Sequence, residues 1–135
     1  RAIFNEDMIF AARLIQNGYA VAYAANARVI HSHNYSALQQ FHRNFDLAVS
    51  QADHPEVFSG IRSEGEGIRL VKSTAKFLAE EEKPWRIAGL CWNSGWKYLG
   101  YLLGKKYRRL PKSWVLRFTM NRRYWEKEEN GRLLR

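Results

Sequence analysis

Apolar residues recur at helical spacing in five segments of this 135-residue chain, and this periodicity constrains the fold more than any other feature. The segments run from about residue 6 to 17, 37 to 51, 68 to 82, 85 to 103 and 112 to 120. Start signals precede them, and Ser36 with Gln39 has the spacing of a capping box. The pattern therefore predicts a mainly α-helical chain.

Two short stretches near the N-terminus have a different pattern. Residues 19–23 (YAVAY) and 28–31 (RVIH) are strand candidates, and a turn at Asn26 separates them. We therefore expect a short β pair there. Residues 53–67 contain Pro55 and three glycines, and they are predicted to form a loop.

The basic residues are concentrated in one segment. The chain has 22 Lys and Arg against 13 Asp and Glu, a formal net charge of +9. Residues 84–125 carry ten of these cations and no acid, whereas residues 1–83 carry nine cations and ten acids. Such a field attracts nucleic acid phosphates or anionic lipid headgroups. The single cysteine, Cys91, excludes an internal disulfide and fits a reducing compartment.

Two adjacent acids, Glu6 and Asp7, open the first predicted helix. The unpaired N–H groups and the dipole of a helix N-terminus favour ionised carboxylates. An ionised carboxylate in a cleft can accept a proton from a hydroxyl group as a general base. Acids at helix starts also commonly stabilise the first turn, so both interpretations remain open on these two residues alone.

A pair of histidines, His31 and His33, ends the second predicted strand. Imidazole is a common ligand of divalent metals, including Mn, so His31 is a candidate metal ligand. A hydrogen-bonded histidine at a strand end is the alternative interpretation.

Taken together, these stretches resemble family 2 glycosyltransferases of the GT-A fold. In that family a Glu-Asp pair starts a helix, a Gly-Tyr turn follows, and the next strand ends in His, as in residues 6–7, 18–19 and 26–31 here. Later stretches resemble the rhamnosyltransferase-type branch, which builds bacterial surface polysaccharides. They are residues 33–36 (HNYS), 41–46 (FHRNFD), 97–105 (KYLGYLLGK), 109–111 (RLP) and 120–121 (MN).

The resemblance implies a fold and a domain organisation. The chain, which begins Arg1-Ala2 without Met, would be the C-terminal fragment of an α/β GT-A glycosyltransferase plus a helical extension. The nucleotide-binding half, with its Asp-x-Asp metal motif, would be absent. Residues 1–54 would end the catalytic domain on its acceptor side, and residues 55–67 would be a loop. Residues 68–125 would form the basic, aromatic helical extension, and residues 126–135 a polar tail.

The resemblance also implies roles for individual residues. Asp7 would deprotonate the acceptor hydroxyl in an inverting transfer, and Glu6 would shape the pocket. His31 would complete the site of a divalent metal, Mn or Mg, that holds the donor diphosphate. Arg43 and Tyr35 are weaker candidates for donor or acceptor contacts, offered on their chemistry alone.

The implied partners are a nucleotide-sugar donor and a saccharide or lipid-linked saccharide acceptor. Without the Asp-x-Asp motif, the fragment alone is expected to bind no metal and to be inactive. Its apolar side chains near the N-terminus would then lack the sheet that covers them, so we expect exposure and self-association. These side chains belong to Met8, Ile15, Tyr19, Val21 and Tyr23.

The basic C-terminal segment also holds all five Trp of the chain. Helices rich in Trp and Lys or Arg lie in membrane interfaces, although the same aromatics can form the core of a helical bundle. A mixed arrangement is favoured, with Trp packed inside and a basic cluster facing anionic headgroups. This cluster consists of Lys105, Lys106, Arg108 and Arg109. It would place the enzyme in the cytoplasm, peripherally on the inner face of the plasma membrane.

Two other functions compete with the enzyme hypothesis. The chain could be a basic amphipathic helical module that binds anionic membrane or a protein partner without catalysis, with Glu6 and Asp7 only stabilising a helix. Nucleic acid is a poorer fit, because no recognised binding motif accompanies the charge.

Overall fold

The computed structural model describes residues 2–30, 34–60 and 63–126, and all regular secondary structure within these ranges is helical. A 3-10 turn covers Tyr107–Arg109, and one further helical turn covers residues 122–126. The helices are α1 (Glu6–Gln16), α2 (Ala37–Asp53), α3 (Pro55–Phe58), α4 (Ser63–Glu80), α5 (Trp85–Lys105) and α6 (Lys112–Phe118). The five predicted helices are therefore confirmed, with ends that differ by a few residues.

The predicted β pair near the N-terminus is wrong. Residues 19–30 contain no strand, and their large apolar side chains are exposed, 94% for Tyr23 and completely for Ile30. A strand persists only where its backbone groups find a hydrogen-bonding partner and one face is buried. The described ranges contain no other strand that could pair with it. The alternating pattern alone was therefore insufficient to form a strand.

The predicted loop over residues 53–67 is shorter than expected. Pro55 starts α3, where a proline is favoured because the first helical N–H needs no partner. At the other end, Gly65 and Glu66 lie inside α4. Helical residues therefore occupy both ends of the segment that was predicted to be a loop.

The central element is α2, which begins with the predicted capping box. The Ser36 hydroxyl accepts from the Gln39 N–H at 3.3 Å, and the Gln39 side chain accepts from the Ser36 N–H at 2.9 Å. The spacing of its apolar residues places four side chains on one face. Of these, Phe41, Phe45 and Val49 are buried, whereas Leu38 is exposed. The apolar stripe thus begins one turn later than its spacing suggests.

On one side, α2 packs against α5 in the most extensive helix pair of the structure. Phe41 lies opposite Gly100 and Phe45 opposite Gly104, so the two helices run in the same direction. A methyl group on either glycine would collide with a backbone carbonyl oxygen of α2. The absence of a side chain at these two positions therefore sets how closely the helices approach.

On another side, the segment before α1 is fastened to α2. Ile3 is buried with Phe45 and Val49 in the core. The Ser50 hydroxyl donates to the Phe4 carbonyl, and the Asn5 amide donates to the Leu47 carbonyl at 3.4 Å. The start of α1 is consequently held in place by α2.

A third side of α2 holds the segment that follows α6. His42 Nδ1 donates to the Phe118 carbonyl at 2.7 Å, which requires the tautomer protonated at Nδ1. The Asp46 Oδ2 accepts from the Met120 N–H at 2.9 Å. Val115 of α6 completes the core with Ile3, Phe45 and Val49.

The N-terminal half of α5 and most of α4 extend away from this core. No described side chain of α4 is fully buried. Trp85 is 70% exposed, Trp92 63% and Trp114 53%, so the expected burial of Trp is wrong for these three. Trp96 and Trp125 are partly buried, as expected. Over the ranges that the structure describes, no helix combines the length and apolar character needed to cross a bilayer.

Candidate functional site at the start of α1

The paired acids lie at the first turn of α1, as the sequence predicts. Both Glu6 and Asp7 are exposed, and one Asp7 oxygen accepts from the Met8 N–H at 2.8 Å. Asp7 thus satisfies one of the N–H groups that a helix start leaves without a partner. A general base at this position would use the second carboxylate oxygen.

Asn5, the residue before the acids, does not cap α1 with its side chain, although Asn is among the residues preferred at this position. Its backbone is left-handed, with φ 58° and ψ 29°, a conformation that Asn tolerates better than most residues. Its amide turns away from α1 and donates to the Leu47 carbonyl of α2. Asn5 therefore links the acid pair to the central helix.

A cationic side chain lies beside this link. The Arg43 guanidinium carbon is 4.7 Å from the centre of the Phe4 ring and 5.4 Å from that of Tyr35. Cations on aromatic faces gain about 0.5–1 kcal/mol at exposed sites and more when desolvated. Arg43 and Tyr35, two of the predicted site residues, are thus brought together by Phe4, two residues before Glu6.

His31 and His33 lie outside the described residues. Elsewhere, in residues 2–30, 34–60 and 63–126, no group of three His, Cys, Asp or Glu is arranged to hold a metal ion. Glu6 and Asp7 alone do not make a Mn or Mg site, since such ions take more oxygen ligands. The described residues therefore do not form a metal site by themselves.

Sequence reasoning missed a buried carboxylate on α2. Burial raises the pKa of Asp46 to about 6, although hydrogen bonds from Thr119 and the Met120 N–H act in the opposite direction. Its place on the apolar face of α2, between Phe45 and Val49, was the available signal. Asp46 forms hydrogen bonds with the segment after α6, and none with Glu6 or Asp7.

The predicted basic cluster is only partly available to a ligand. Arg108 Nη2 donates to Asp53 Oδ1 at 2.8 Å, and the Tyr107 hydroxyl donates to the same oxygen at 2.5 Å. Burial, followed by this hydrogen bond, raises the pKa of Tyr107 to about 12. Lys105, Lys106 and Arg109 are exposed. Arg108 therefore serves first as a link between α2 and the 3-10 turn.

The sequence of the chain is similar to those of two bacterial rhamnosyltransferases. It is 44% identical over 126 residues to the O-antigen chain rhamnosyltransferase WbaN of Salmonella anatum and, at the same identity, to RfbN of Salmonella typhimurium. The matches cover 91% of this chain and 39% of each relative, so the chain spans about two fifths of the relatives' length. No family model matches the chain, and no solved structure matches it.

Proposed function

We propose that this chain is the acceptor-side, C-terminal part of an inverting family 2 glycosyltransferase of the GT-A fold. The whole protein would transfer rhamnose from a nucleotide-sugar donor to a saccharide or lipid-linked saccharide during O-antigen synthesis. The similarity to two O-antigen chain rhamnosyltransferases along 91% of the chain carries this proposal. The remaining three fifths of such a protein would supply the nucleotide-binding half.

The proposed chemistry assigns the proton to Asp7. The second Asp7 oxygen would take the proton of the acceptor hydroxyl while that hydroxyl oxygen bonds to the anomeric carbon. The bond from this carbon to the nucleotide diphosphate would break, and the diphosphate would leave with the electron pair. Because attack occurs opposite the leaving group, the configuration inverts. Glu6 would orient the acceptor, and a Mn or Mg ion with His31 as a ligand would neutralise the diphosphate.

The position of Arg43 supports a role in the same pocket. Its guanidinium lies against Phe4 and Tyr35, and Phe4 is fastened to Ser50 on α2. Two aromatic faces restrict where the charge can lie, so less entropy is lost when it binds an anion. Arg43 would then contact the donor diphosphate or an acceptor oxygen, with Tyr35 beside it.

The test uses the full-length protein with radiolabelled nucleoside-diphosphate rhamnose and the membrane fraction as acceptor. Asp7→Asn should lower the transfer rate by a factor of about a hundred to ten thousand, the usual contribution of a general base. Glu80→Gln, which removes one carboxylate charge from the exposed end of α4, should retain the rate. Equal activity of Asp7→Asn and the wild type would refute the proposed base. Transfer by the isolated 135 residues would refute the need for a second half.

A second candidate function is membrane binding by the same chain, either in the enzyme or without catalysis. Exposed Trp85 and Trp92 and the acid-free segment 84–125 favour it. The enzyme would then lie in the cytoplasm on the inner face of the plasma membrane. Co-sedimentation with vesicles tests this candidate. Binding should require anionic lipid and should weaken in Lys105→Gln with Lys106→Gln, whereas equal binding to neutral vesicles would refute the electrostatic part.

The exposed apolar side chains of α1 and residues 19–30 give a reason to expect self-association of the isolated chain. Met8, Ile15, Tyr19, Val21 and Tyr23 are all exposed, as predicted. We expect light scattering to give a mass above that of the 15.9 kDa monomer as concentration rises. A constant monomer mass would contradict this part of the proposal.

A further inference from the structure

A cleft of about 500 Å³ opens between α6 and the helical turn over residues 122–126. It involves none of the residues assigned to sugar transfer. Its size falls within the range of small-ligand sites. The side chains lining it belong to Ser113, Leu116, Arg117, Arg122 and Glu126.

Two cations from different elements line this cleft. Arg117 comes from the last turn of α6, and Arg122 follows it by five residues. Among the residues that the structure describes, neither guanidinium forms an ion pair within 4.0 Å, and Glu126 is paired with neither. Like charges on the walls of one cleft repel each other, and a bound anion relieves that repulsion. The surrounding residues 105–123 add six more cations and no acid.

The segment between the two arginines is held firmly. Its backbone is fixed at Met120 by Asp46, and the Thr119 hydroxyl accepts from the Asn121 N–H at 3.0 Å. Arg122 Nε donates to the Leu116 carbonyl at 3.2 Å, which orients the guanidinium without using its two Nη groups. A site that is ordered before binding loses less entropy when a ligand arrives.

We propose that this cleft is a binding site for a phosphate group, such as a phosphomonoester or the end of a diphosphate. Arg117 and Arg122 donate from their Nη groups to the phosphate oxygens, and the Ser113 hydroxyl donates a further hydrogen bond. Glu126 lies on the same cleft and opposes the anion. The proposal stands whether or not the whole protein transfers sugar.

The first test follows inorganic pyrophosphate binding to the chain by amide chemical shifts. We expect saturable shifts at residues 113, 117 and 122. Arg117→Gln and Arg122→Gln should each weaken binding about tenfold, the usual loss for a hydrogen bond to a charged group. Arg123→Gln is the matched control, because it removes the same charge from the neighbouring position, which does not line the cleft. Its loss should stay below about twofold.

The same protein with Glu126→Gln should bind pyrophosphate more tightly, because a repelling charge is removed. This gain distinguishes a site from damage to the fold, which only weakens binding. Vesicles containing phosphatidic acid, compared with phosphatidylcholine alone, show whether the phosphate belongs to a lipid. Lipid binding that depends on Arg117 and Arg122 assigns a headgroup, and pyrophosphate binding alone assigns a soluble ligand. Absence of saturable binding to both, or equal losses in all three arginine variants, would overturn the site.

Discussion

Replacing Gly100 by Ala tests the close approach of α2 and α5. The new methyl carbon would overlap the Phe41 carbonyl oxygen and lie 3.0 Å from its carbon and 3.1 Å from the Phe41 Cα. Ordinary contacts between carbon atoms are about 3.5–4.0 Å. Because the obstacle is backbone, no side-chain rotation relieves it, and the helices must move apart by more than half an ångström.

The cost of this separation follows from packing. A gap of about 0.5–1 Å forfeits a quarter to a half of the dispersion energy of the atoms that face it. Overpacked core positions cost about 1–3 kcal/mol, and the backbone obstacle places Gly100→Ala toward the upper end. Alanine in place of glycine returns about 0.5–1 kcal/mol through its helix propensity. We expect a net loss of about 1–2 kcal/mol in the free energy of unfolding.

Gly95→Ala is the matched control on the same helix. A methyl group there meets nothing within 4 Å, so only the gain in helix propensity remains, and the variant should be more stable by up to about 1 kcal/mol. Urea unfolding followed by far-UV circular dichroism measures both variants at fixed protein concentration, with an unchanged slope as the check on two-state behaviour. Stability changes of the same sign and size at positions 95 and 100 would refute the reasoning.

Three further predictions concern single contacts. Because the pKa of Asp46 rises from 3.8 to about 6 on folding, the folded state binds the extra proton, and this group should favour folding by about 3 kcal/mol more at pH 3 than at pH 7. The urea midpoint of the wild type should fall as the pH rises across that range, and this fall should be absent in Asp46→Asn. A pH profile that the substitution leaves unchanged would contradict the raised pKa of Asp46. Ser36→Ala should cost about 1 kcal/mol of stability in thermal unfolding by removing the helix cap. Ser73→Ala on the exposed middle of α4 is the control and should cost nothing, because alanine has the higher helix propensity. Tyr107→Phe should cost about 1 kcal/mol by losing the hydrogen bond to Asp53, and an unchanged melting temperature would show that Arg108 alone suffices.

The helices could be predicted from the sequence because their causes are local. Spacing of apolar residues and the capping pair at Ser36 and Gln39 act within a few residues, and the structure has both. The β pair over residues 19–31 could not be decided in this way. A strand depends on a second strand elsewhere in the chain, and the alternation of apolar residues describes only one of the two strands. Leu38 shows the same limit, since its helical spacing is right but none of the described elements buries it.

The acid pair of the candidate site could be predicted from the sequence, whereas the residues around it could be predicted only in part. Glu6 and Asp7 stand at the start of α1 as expected, and the contact of Arg43 with Tyr35 unites two residues that chemistry alone had suggested. Phe4, which lies against Arg43, carried no signal of its own. Asp46 could have been found as an acid on the apolar face of α2. Its partners near residue 120 could not, because they lie more than 70 positions away.

Two contacts of α2 determine the position of the acid pair, Glu6 and Asp7. The segment Ile3–Asn5 fixes the start of α1 from one side, and the close glycine packing of α5 fixes α2 from another. Toward the far end of α1, the apolar residues Phe10 and Ile15 are exposed. In the proposed sugar transfer, Asp7 is therefore positioned through α2 by long-range contacts. The surface that binds the nucleotide-sugar opposite Asp7 would come from the rest of the whole protein. Loosening α2 at Ser50 or Gly100 should then disturb transfer without touching the acids themselves.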